Sequence, residues 1–576
     1  LTAFLTTLAT IWRLAIPYFR SEDRWPGRLL LGAVVSIELA VVGVTVLINQ
    51  WNARFYNALQ DRNWDSFVTE LLIFCALAAC YVVLRVYQLY LNQWLQIRWR
   101  RWMTARYIEH WLDGANHYRM QMLGDAADNP DQRIAEDIRQ FIENALIVGV
   151  GLLGSIVSLG SFVIILWGLS AAAPLTLYGV SWNIPGYLVW AALAYAVVGT
   201  LFTHLVGRPL IALNFNQQRY EADFRFNLVR VRENSEQIAL LRGETAERGR
   251  LMERFIAVMN NWLLIMSRQK KLTFLTASYS QASVVFPIIV TAPAYFAGRI
   301  QLGALTQTAG AFNSVQSALS FFVDSYVRIA EWRAVIDRLA GFEVSIANAQ
   351  ALTSRAPSIA LTSAPGKDVR LEGIEVTLPS GKPLVDANVT IAPHDQVLVR
   401  GPSGSGKSTL FRAIAGIWPF GKGTVAVPQG AKAMTLPQRP YLPIGTLEAA
   451  VSYPSEAHAF DAARMGELLA AVGLPAMAER LAERAHWNRM LSLGEQQRLG
   501  IARAILHAPD FLFLDEATAS LDEPAEAALY KLLKERLPDT TIISIGHRST
   551  LAAFHRRGLT LAREGDRYRV TEAALA

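Results

Sequence analysis

Cysteine is nearly absent from this chain of 576 residues: there are two, Cys75 and Cys80, five positions apart and off a common helical face. That count and spacing exclude a disulfide framework and a cysteine-based metal site. Charge is also scarce. Only 18% of residues are Asp, Glu, Lys or Arg against 52% hydrophobic, and the mean hydropathy of +0.23 is too high for a soluble chain of this length. The charge that remains leans basic, 55 Lys and Arg to 48 Asp and Glu, net +7. Arginines placed beside acidic lipid account for that excess, so it gives no argument for nucleic acid as a partner.

The missing charge is concentrated in the N-terminal half. From Asn144 to Gly207 there is no Asp, Glu, Lys or Arg, and Leu272 to Gly298 and Ile300 to Val323 are likewise uncharged. A bilayer core needs about 20 apolar residues per helix. The pattern therefore predicts six spans, at about 29–48, 67–91, 145–169, 187–207, 272–297 and 303–325, with a turn region from Pro174 to Gly186. Connections 2–3 and 4–5 carry seven and twelve Lys and Arg, whereas 1–2, 3–4 and 5–6 carry two, none and one. The positive-inside rule puts the long basic connections and the N-terminus in the cytosol, across a bacterial inner membrane. Trp94, Trp99 and Trp102 suit the lipid interface. Residues 1–27 hold Arg13, Arg20 and Arg24 without a cleavage pattern, and read as an interfacial or elbow helix, not a removed signal peptide.

The C-terminal third has a different grammar. Gly401, Pro402, Ser403, Gly404, Ser405, Gly406, Lys407, Ser408 and Thr409 spell a phosphate-binding loop directly after the strand-like run Val397-Leu398-Val399. Glycines let backbone N–H groups wrap phosphates, Lys407 reaches the β- and γ-phosphates of ATP, and Ser408 reaches Mg²⁺. The wholly apolar run Phe511 to Leu514 predicts a buried parallel strand, and it ends in Asp515 and Glu516. Asp515 is expected on Mg²⁺, Glu516 on the attacking water, and His547 on the γ-phosphate. Gln438, in LPQRPY, is the expected Mg²⁺ sensor. Each residue alone has a bland reading as a cap or surface pair; their order over about 150 positions does not.

The stretch LSLGEQQRLGIARAIL, Leu491 to Leu506, completes the set. With it, residues 369 to about 573 resemble the nucleotide-binding domain of an ABC transporter. The resemblance implies that Ser492 and Gly494 face the γ-phosphate of ATP bound to a partner chain, and it places Glu495 and Asp522 in the nucleotide-binding set. Two departures stand out. LSLGE replaces the commoner LSGGQ, so Leu493 and Glu495 stand for a glycine and a glutamine. Leu378 stands where family members carry an adenine-stacking aromatic.

These departures, together with GIWPFGKGTV and PQRPYLPIGTL, resemble the subfamily of peroxisomal fatty-acyl transporters and bacterial SbmA/BacA-like proteins. NPDQRI and YEADFRFNLVRVRENSEQIALLRGE (Tyr220 to Glu244) extend the likeness into the membrane part. The implied fold is an all-α transmembrane domain of six helices of the ABC exporter type, residues 28–340, then a linker, 341–368, then an α/β P-loop ATPase domain, 369–576. The implied activity is ATP-driven transport by a homodimer with two shared ATP sites. Short coupling helices are expected at Asn129 to Ile134 and Glu221 to Arg225, and force transfer along Tyr326 to Leu339.

The cargo implied by the SbmA/BacA likeness is a peptide of the antimicrobial type, or a sizeable hydrophilic compound such as a bleomycin-like molecule or cobalamin, moving inward. The alternative is export or flipping of a lipid or acyl-CoA-like compound. Thr306, Gln307, Thr308, Asn313, Ser314, Gln316, Ser317 and Ser320 make the sixth span unusually polar, so Gln307, Asn313 and Gln316 are candidates for a wet cavity, the other reading being hydrogen bonding between helices. Glu38 lies deep in span 1 and is open to both cavity and pairing roles; Arg85, His204 and Asp324 lie nearer the cytosolic ends.

Overall fold

A computed structural model describes residues 2–123, 129–172, 175–177, 180–182, 184–352 and 358–574. The chain divides into two compact units: Leu1–Ile108 with Pro130–Phe342, and Glu109–Asn129 with Glu343–Ala576.

The first unit is helical, as every backbone polar group in lipid must find a partner within its own segment. Helix α1 (Thr2–Arg20) is followed after a turn by α2 (Arg24–Gln60) and α3 (Trp64–Leu112). A break at Gly114 and Ala115, both with positive φ, separates α3 from α4 (Asn116–Met122), which belongs to the second unit. Then come α5 (Pro130–Gln132), a π-turn, and α6 (Ile138–Ala172). A short hairpin of β1 (Leu175–Leu177) and β2 (Val180–Trp182) occupies the expected turn region, whose Pro174 lies outside the described residues. Helix α7 (Tyr187–Glu233), the six-residue α8 (Ser235–Leu240), α9 (Glu244–Phe296), α10 (Leu302–Asp324) and α11 (Tyr326–Ala351) complete the series.

Among the described residues five helices are long and apolar enough to cross a membrane: Arg24–Gln60, Trp64–Met122, Pro130–Ala171, Tyr187–Glu233 and Glu244–Phe296. The sixth expected span is present as α10 but falls outside that set because of its polar side chains. It packs against α2, α6, α7 and α9, and Ala311, Phe312 and Val315 on it are buried. At 1.5 Å per residue, the 47 residues of α7 and 53 of α9 run about 70 and 80 Å, more than twice a bilayer core of about 30 Å.

Neither segment expected to form a short, separate helix does so. Asn129 to Ile134 forms the entry to α6, and Glu221 to Arg225 lies inside the unbroken α7. The short helices set off by breaks are α4 and α8: a left-handed Ala115 precedes α4, and Asn234 separates α7 from α8. Charge had suggested the position, but backbone geometry ends a helix. The segment 341–368 also differs from a simple linker. It is helical to Ala351, residues 353–357 lie outside the description, and 360–364 form a strand of the ATPase sheet.

In the second unit the strands are β3 (Ala360–Ala364), β4 (Val369–Thr377), β5 (Pro383–Ile391), β6 (Gln396–Arg400), β7 (Gly421–Pro428), β8 (Ala433–Leu436), β9 (Gly445–Thr446), β10 (Arg484–Ala485), β11 (Phe511–Asp515), β12 (Thr541–Ile545), β13 (Arg557–Glu564) and β14 (Arg567–Ala573). The main sheet has ten strands in the order β3-β7-β4-β5-β14-β13-β6-β12-β11-β8. Its centre, β13-β6-β12-β11-β8, is parallel throughout. Residues 511–514 and 541–545 are buried along their whole length, as the apolar run predicted. The helices are α12 (Lys407–Ile414), α13 (Leu447–Ser452), α14 (Ala462–Ala471), α15 (Trp487–Met490), α16 (Leu493–His507) and α17 (Glu523–Arg536). Within this unit Met122 of α4 packs on the apolar core of β4, β5 and α12.

Candidate functional site

Adjacency of β6, β12 and β11 builds the site. All three run parallel, so the loops leaving them emerge at one edge of the sheet, where α/β folds bind ligands. The loop after β6 is Gly401 to Gly406, β11 ends in Asp515, and His547 follows β12.

The phosphate loop is shaped by glycine. Gly406 has φ 92° and a Cβ there would stand 2.5 Å from Val385 Cγ2, so no other residue fits this helix entry. Pro402, Ser403 and Gly404 are exposed at the loop tip. Ser405 is buried and its hydroxyl has no protein partner. Lys407 is buried, and its ammonium donates to the carbonyls of Gly401 and Pro402 at 2.9 Å each. Burial lowers the Lys407 pKa, and Glu516 and Asp515 oppose that shift. Ser408 and Thr409 sit in the first turn of α12, with unpaired N–H groups and the positive dipole end facing the loop.

Ser408 Oγ donates to Asp515 Oδ1 at 2.9 Å across 107 residues. Burial raises the Asp515 pKa; the Ser408 bond lowers it and Glu516 adds to the rise. A half-buried carboxylate beside a hydroxyl is a hard-oxygen pair whose charge calls for a cation, which fits Mg²⁺. Glu516 is held at φ 52°, its N–H donating to Ile545 O at 3.2 Å. Its Oε1 lies 3.1 Å from His547 Nε2. Five of the expected groups, Lys407, Ser408, Asp515, Glu516 and His547, thus converge.

The other expected residues do not join them within one chain. Gln438 is exposed and is anchored through its carbonyl, which accepts from Gln497 at 2.9 Å. Leu378 closes a tight turn by exchanging backbone bonds with Lys382 and Gly381, and helps line a hollow of about 310 Å³ with Pro379, Phe420 and Lys422. Asp522 caps α17 by accepting from Ala525 N at 3.1 Å. Gly494 stands beside Leu521 and the Ser520 carbonyl.

Ser492 and Glu495 form a capping box on α16: Ser492 Oγ accepts from Glu495 N at 3.3 Å, and Glu495 Oε2 accepts from Ser492 N at 2.8 Å. The acidic residue that replaces glutamine in the signature therefore has a local job, holding the first turn of the helix. The S-x-x-E pattern of such a cap stands in the sequence at Ser492 and Glu495.

A second group was missed. Glu526, buried at 3% exposure, accepts from Thr518 Oγ1 at 2.6 Å and lies 3.4 Å from Arg548; Arg548 also donates to Ala519 O at 3.2 Å. It ties the turn after Glu516 to the residue after His547. An S-L-D-x-x-x-E spacing and a His-Arg pair are the only sequence traces of it.

Among the membrane candidates, Glu38 accepts from Gln88 Nε2 on α3 and pairs with Arg85 at 3.5 Å. Gly154 of α6 passes so close that a Cβ there would sit 2.2 Å from Glu38 Oε1. The Gln307 carbonyl accepts from Asn49 at 3.0 Å. Asn49 lies three turns along α2 from Glu38, about 16 Å, so Glu38 and Gln307 do not share a level. Gln316 donates to Ser320 at 3.4 Å, and Asn313 keeps a buried side-chain oxygen without a partner. His204 is exposed, and the Asp324 side chain lies outside the described residues.

Two family models match the chain, one described as ABC transporter transmembrane region 2 over residues 14–296 and one as ABC transporter over 384–519. The chain is similar to the inner membrane ABC transporter ATP-binding protein YddA of Escherichia coli, 34% identical over 92% of this chain and 93% of the relative. It is also similar to ABC transporter D family member 2, chloroplastic, of Arabidopsis thaliana, 33% identical over 96% of this chain and 86% of the relative. Among solved structures, a bacterial Atm1-family ABC exporter with ATP bound matches with a TM-score of 0.70 and 16% identity over 94% of each chain, a likeness of fold.

Proposed function

The chain belongs to the ABC transporter family, as a multi-pass membrane protein with fused membrane and ATP-binding domains that couples ATP hydrolysis to transport with Mg²⁺, and from that premise we propose a homodimer that imports peptides or other sizeable hydrophilic compounds. D-family half-transporters are among its relatives. The residue roles are part of this reading. Ser408 and Asp515 would hold Mg²⁺, with the Gln438 side chain completing its shell, and the ion would neutralise charge on the β- and γ-phosphates. Lys407 and the loop N–H groups bind phosphate. Glu516 orients water, and His547, within hydrogen-bond reach of it, steadies that carboxylate and faces the γ-phosphate.

Two chains are needed because Ser492 and Gly494 make their described contacts with Glu495, Leu521 and Ser520, and none with the phosphate loop. In a symmetric pair each signature would close the other chain's site. Basic connections 2–3 and 4–5 support a cytosolic ATPase at a bacterial inner membrane.

The observation that carries the hydrophilic cargo is α10, the expected span that is not among the helices apolar enough to cross a membrane, and that packs against four others. An uptake route for a polar solute needs such a surface, whereas a lipid flippase has less need of one. The relation to SbmA/BacA-like proteins rests on Tyr220 to Glu244 and NPDQRI. Proteoliposomes with ATP on the ATPase side and a labelled peptide on the other decide the matter, with Glu516→Gln as control. Peptide arriving on the ATPase side supports import. Peptide leaving that side, or lipid moving with no peptide, replaces it with the export or flippase reading.

A further inference from the structure

Gln497 lies on α16 two residues after the capping Glu495, and its side chain is buried to 1% exposure. Its Nε2 donates to the Gln438 carbonyl at 2.9 Å, and its Oε1 accepts from the Ser520 N–H at 3.0 Å. A carbonyl can only accept and an N–H can only donate, so these two partners also fix which way the amide faces. One planar group therefore spans three segments of the ATPase site: the loop bearing Gln438, the turn after Glu516, and the helix that Ser492 caps.

The link continues to the reacting centre. Ala519, next to Ser520, donates its N–H to the Glu516 carbonyl at 3.1 Å. Glu516 is held in a left-handed conformation at φ 52°, a strained state that persists only where surroundings enforce it. Gly494 lies close to this turn, since a Cβ added there would meet the Ser520 carbonyl oxygen at 3.5 Å. Movement of Gln438 or of the signature helix must accordingly pull on the Ser520 turn, and through it on Glu516.

We propose that Gln497 is a positioning residue that makes the Gln438 loop, the signature helix and the Glu516 turn move as one body. Both bonds of its side chain go to backbone groups, of Gln438 and of Ser520. Its amide keeps the water-orienting carboxylate in register with the segment that senses the metal and with the segment offered to the partner's ATP. The inference rests on the ATPase roles given above.

The test uses the full chain in proteoliposomes. Gln497→Leu keeps the volume and removes both bonds, leaving the phosphate loop untouched. The expected result is a kcat per folded, ATP-binding molecule lower by on the order of 10- to 100-fold, with the Kd for a fluorescent ATP analogue unchanged. Gln497→Glu retains the acceptor for Ser520 but sets a carboxylate against the Gln438 carbonyl; it is expected to lower kcat less, again at unchanged Kd, and it serves if the Leu variant does not fold. Wild-type turnover per binding-competent molecule in either variant overturns the proposal, since a merely structural residue reduces the amount of folded protein and not its rate. A loss of affinity equal to the loss of rate overturns it too. The wild-type chain is assayed first: failure to hydrolyse ATP there refutes the ATPase reading, whatever Gln497 does.

Discussion

The two units satisfy their polar groups in opposite ways. In the ATPase unit the partners come from far apart in the chain: Ser408 meets Asp515 over 107 residues, and Gln497 meets Gln438 over 59. In the membrane unit many serine and threonine hydroxyls turn back on their own helix, although the Tyr195 and Tyr279 hydroxyls reach across from α7 to α9 and back. Thr308 bonds to Ala304 O, Ser314 to Gly310 O, Thr45 to Val41 O, Ser161 to Val157 O and Thr291 to Pro287 O, all four residues back. The reason is the solvent. Lipid offers no hydrogen bonds, so a hydroxyl on a spanning helix is safest on the nearest carbonyl. Polar residues at helical spacing on α10 therefore carry a mixed message, since local satisfaction produces the same spacing as a wetted face.

The sharpest way to test the contrast is at the ATPase edge. Glu516→Gln should lower ATP turnover by roughly 10²–10⁴ with ATP binding retained, the range for losing a general base; steady-state hydrolysis beside equilibrium binding checks it, and near-normal turnover would remove Glu516 from its role.

In the membrane unit Asp137 gathers Arg133 and Arg338 around it, outside the expected spans. Asp137, at 1% exposure, accepts from Arg338 at 2.7 and 2.9 Å and also pairs with Arg133. Asp137→Ala leaves two arginines without their anion and should destabilise by about 3–5 kcal/mol, as breaking buried pairs does. Thermal unfolding in detergent measures this, and a shift no larger than that of a surface substitution would show that the helices relax around the gap.

A titration probes the ATPase interior. Burial pushes the His555 pKa from 6.5 down to about 4, and Nδ1 bonds to Leu551 O while Nε2 bonds to Ser544 Oγ. With the folded value below the unfolded one, the unfolded chain binds more protons between them. Stability is complete above pH 6.5 and falls as pH drops toward 4, by about 3 kcal/mol. His555→Gln should flatten that part of the melting curve against pH.

Smaller effects complete the comparison. Asn49→Ala removes a bond between helices, from Asn49 to the Gln307 carbonyl, and should cost about 1 kcal/mol, near the modest value of such bonds in lipid; a change several times larger would show that this long-range bond outweighs the hydroxyls that bond to their own helix. Glu495→Gln keeps a competent capping box, so unfolding should barely move. Removing the negative charge from the signature should lower the KM for ATP by about two- to fivefold, the equivalent of 0.3–1 kcal/mol at a helix N-terminus, and an unchanged KM would place the carboxylate away from phosphate.

Legibility differed between the units for physical reasons. A glycine-rich loop after an apolar strand has one common use, so Gly401 to Thr409, Asp515 and Glu516 could be read in order, and the structure brings them together with His547. Missing charge predicted six spans; among the described residues five helices are long and apolar enough to cross, and α10, where the sixth was expected, is too polar to stand out by hydropathy. Asn129 to Ile134 and Glu221 to Arg225 did not form short separate helices because charge marks a surface, while helix ends are set by backbone breaks such as Ala115 and Asn234. Glu526 and Gln497 were passed over because glutamate and glutamine on a helix usually mean a solvated face.

What the sequence by itself determined is the set of local properties: where the chain must be helical in lipid, where phosphate can be wrapped, and which family's order of motifs it follows. These depend on neighbours within a few residues, and composition and spacing record them. Only the tertiary structure decided which side chains meet. That Ser408 reaches Asp515, and that Gln497 reaches two backbone segments at once, follow from the parallel order of β6, β12 and β11 and from the burial of α16 in the core beside them, and no local pattern encodes a distance across a sheet.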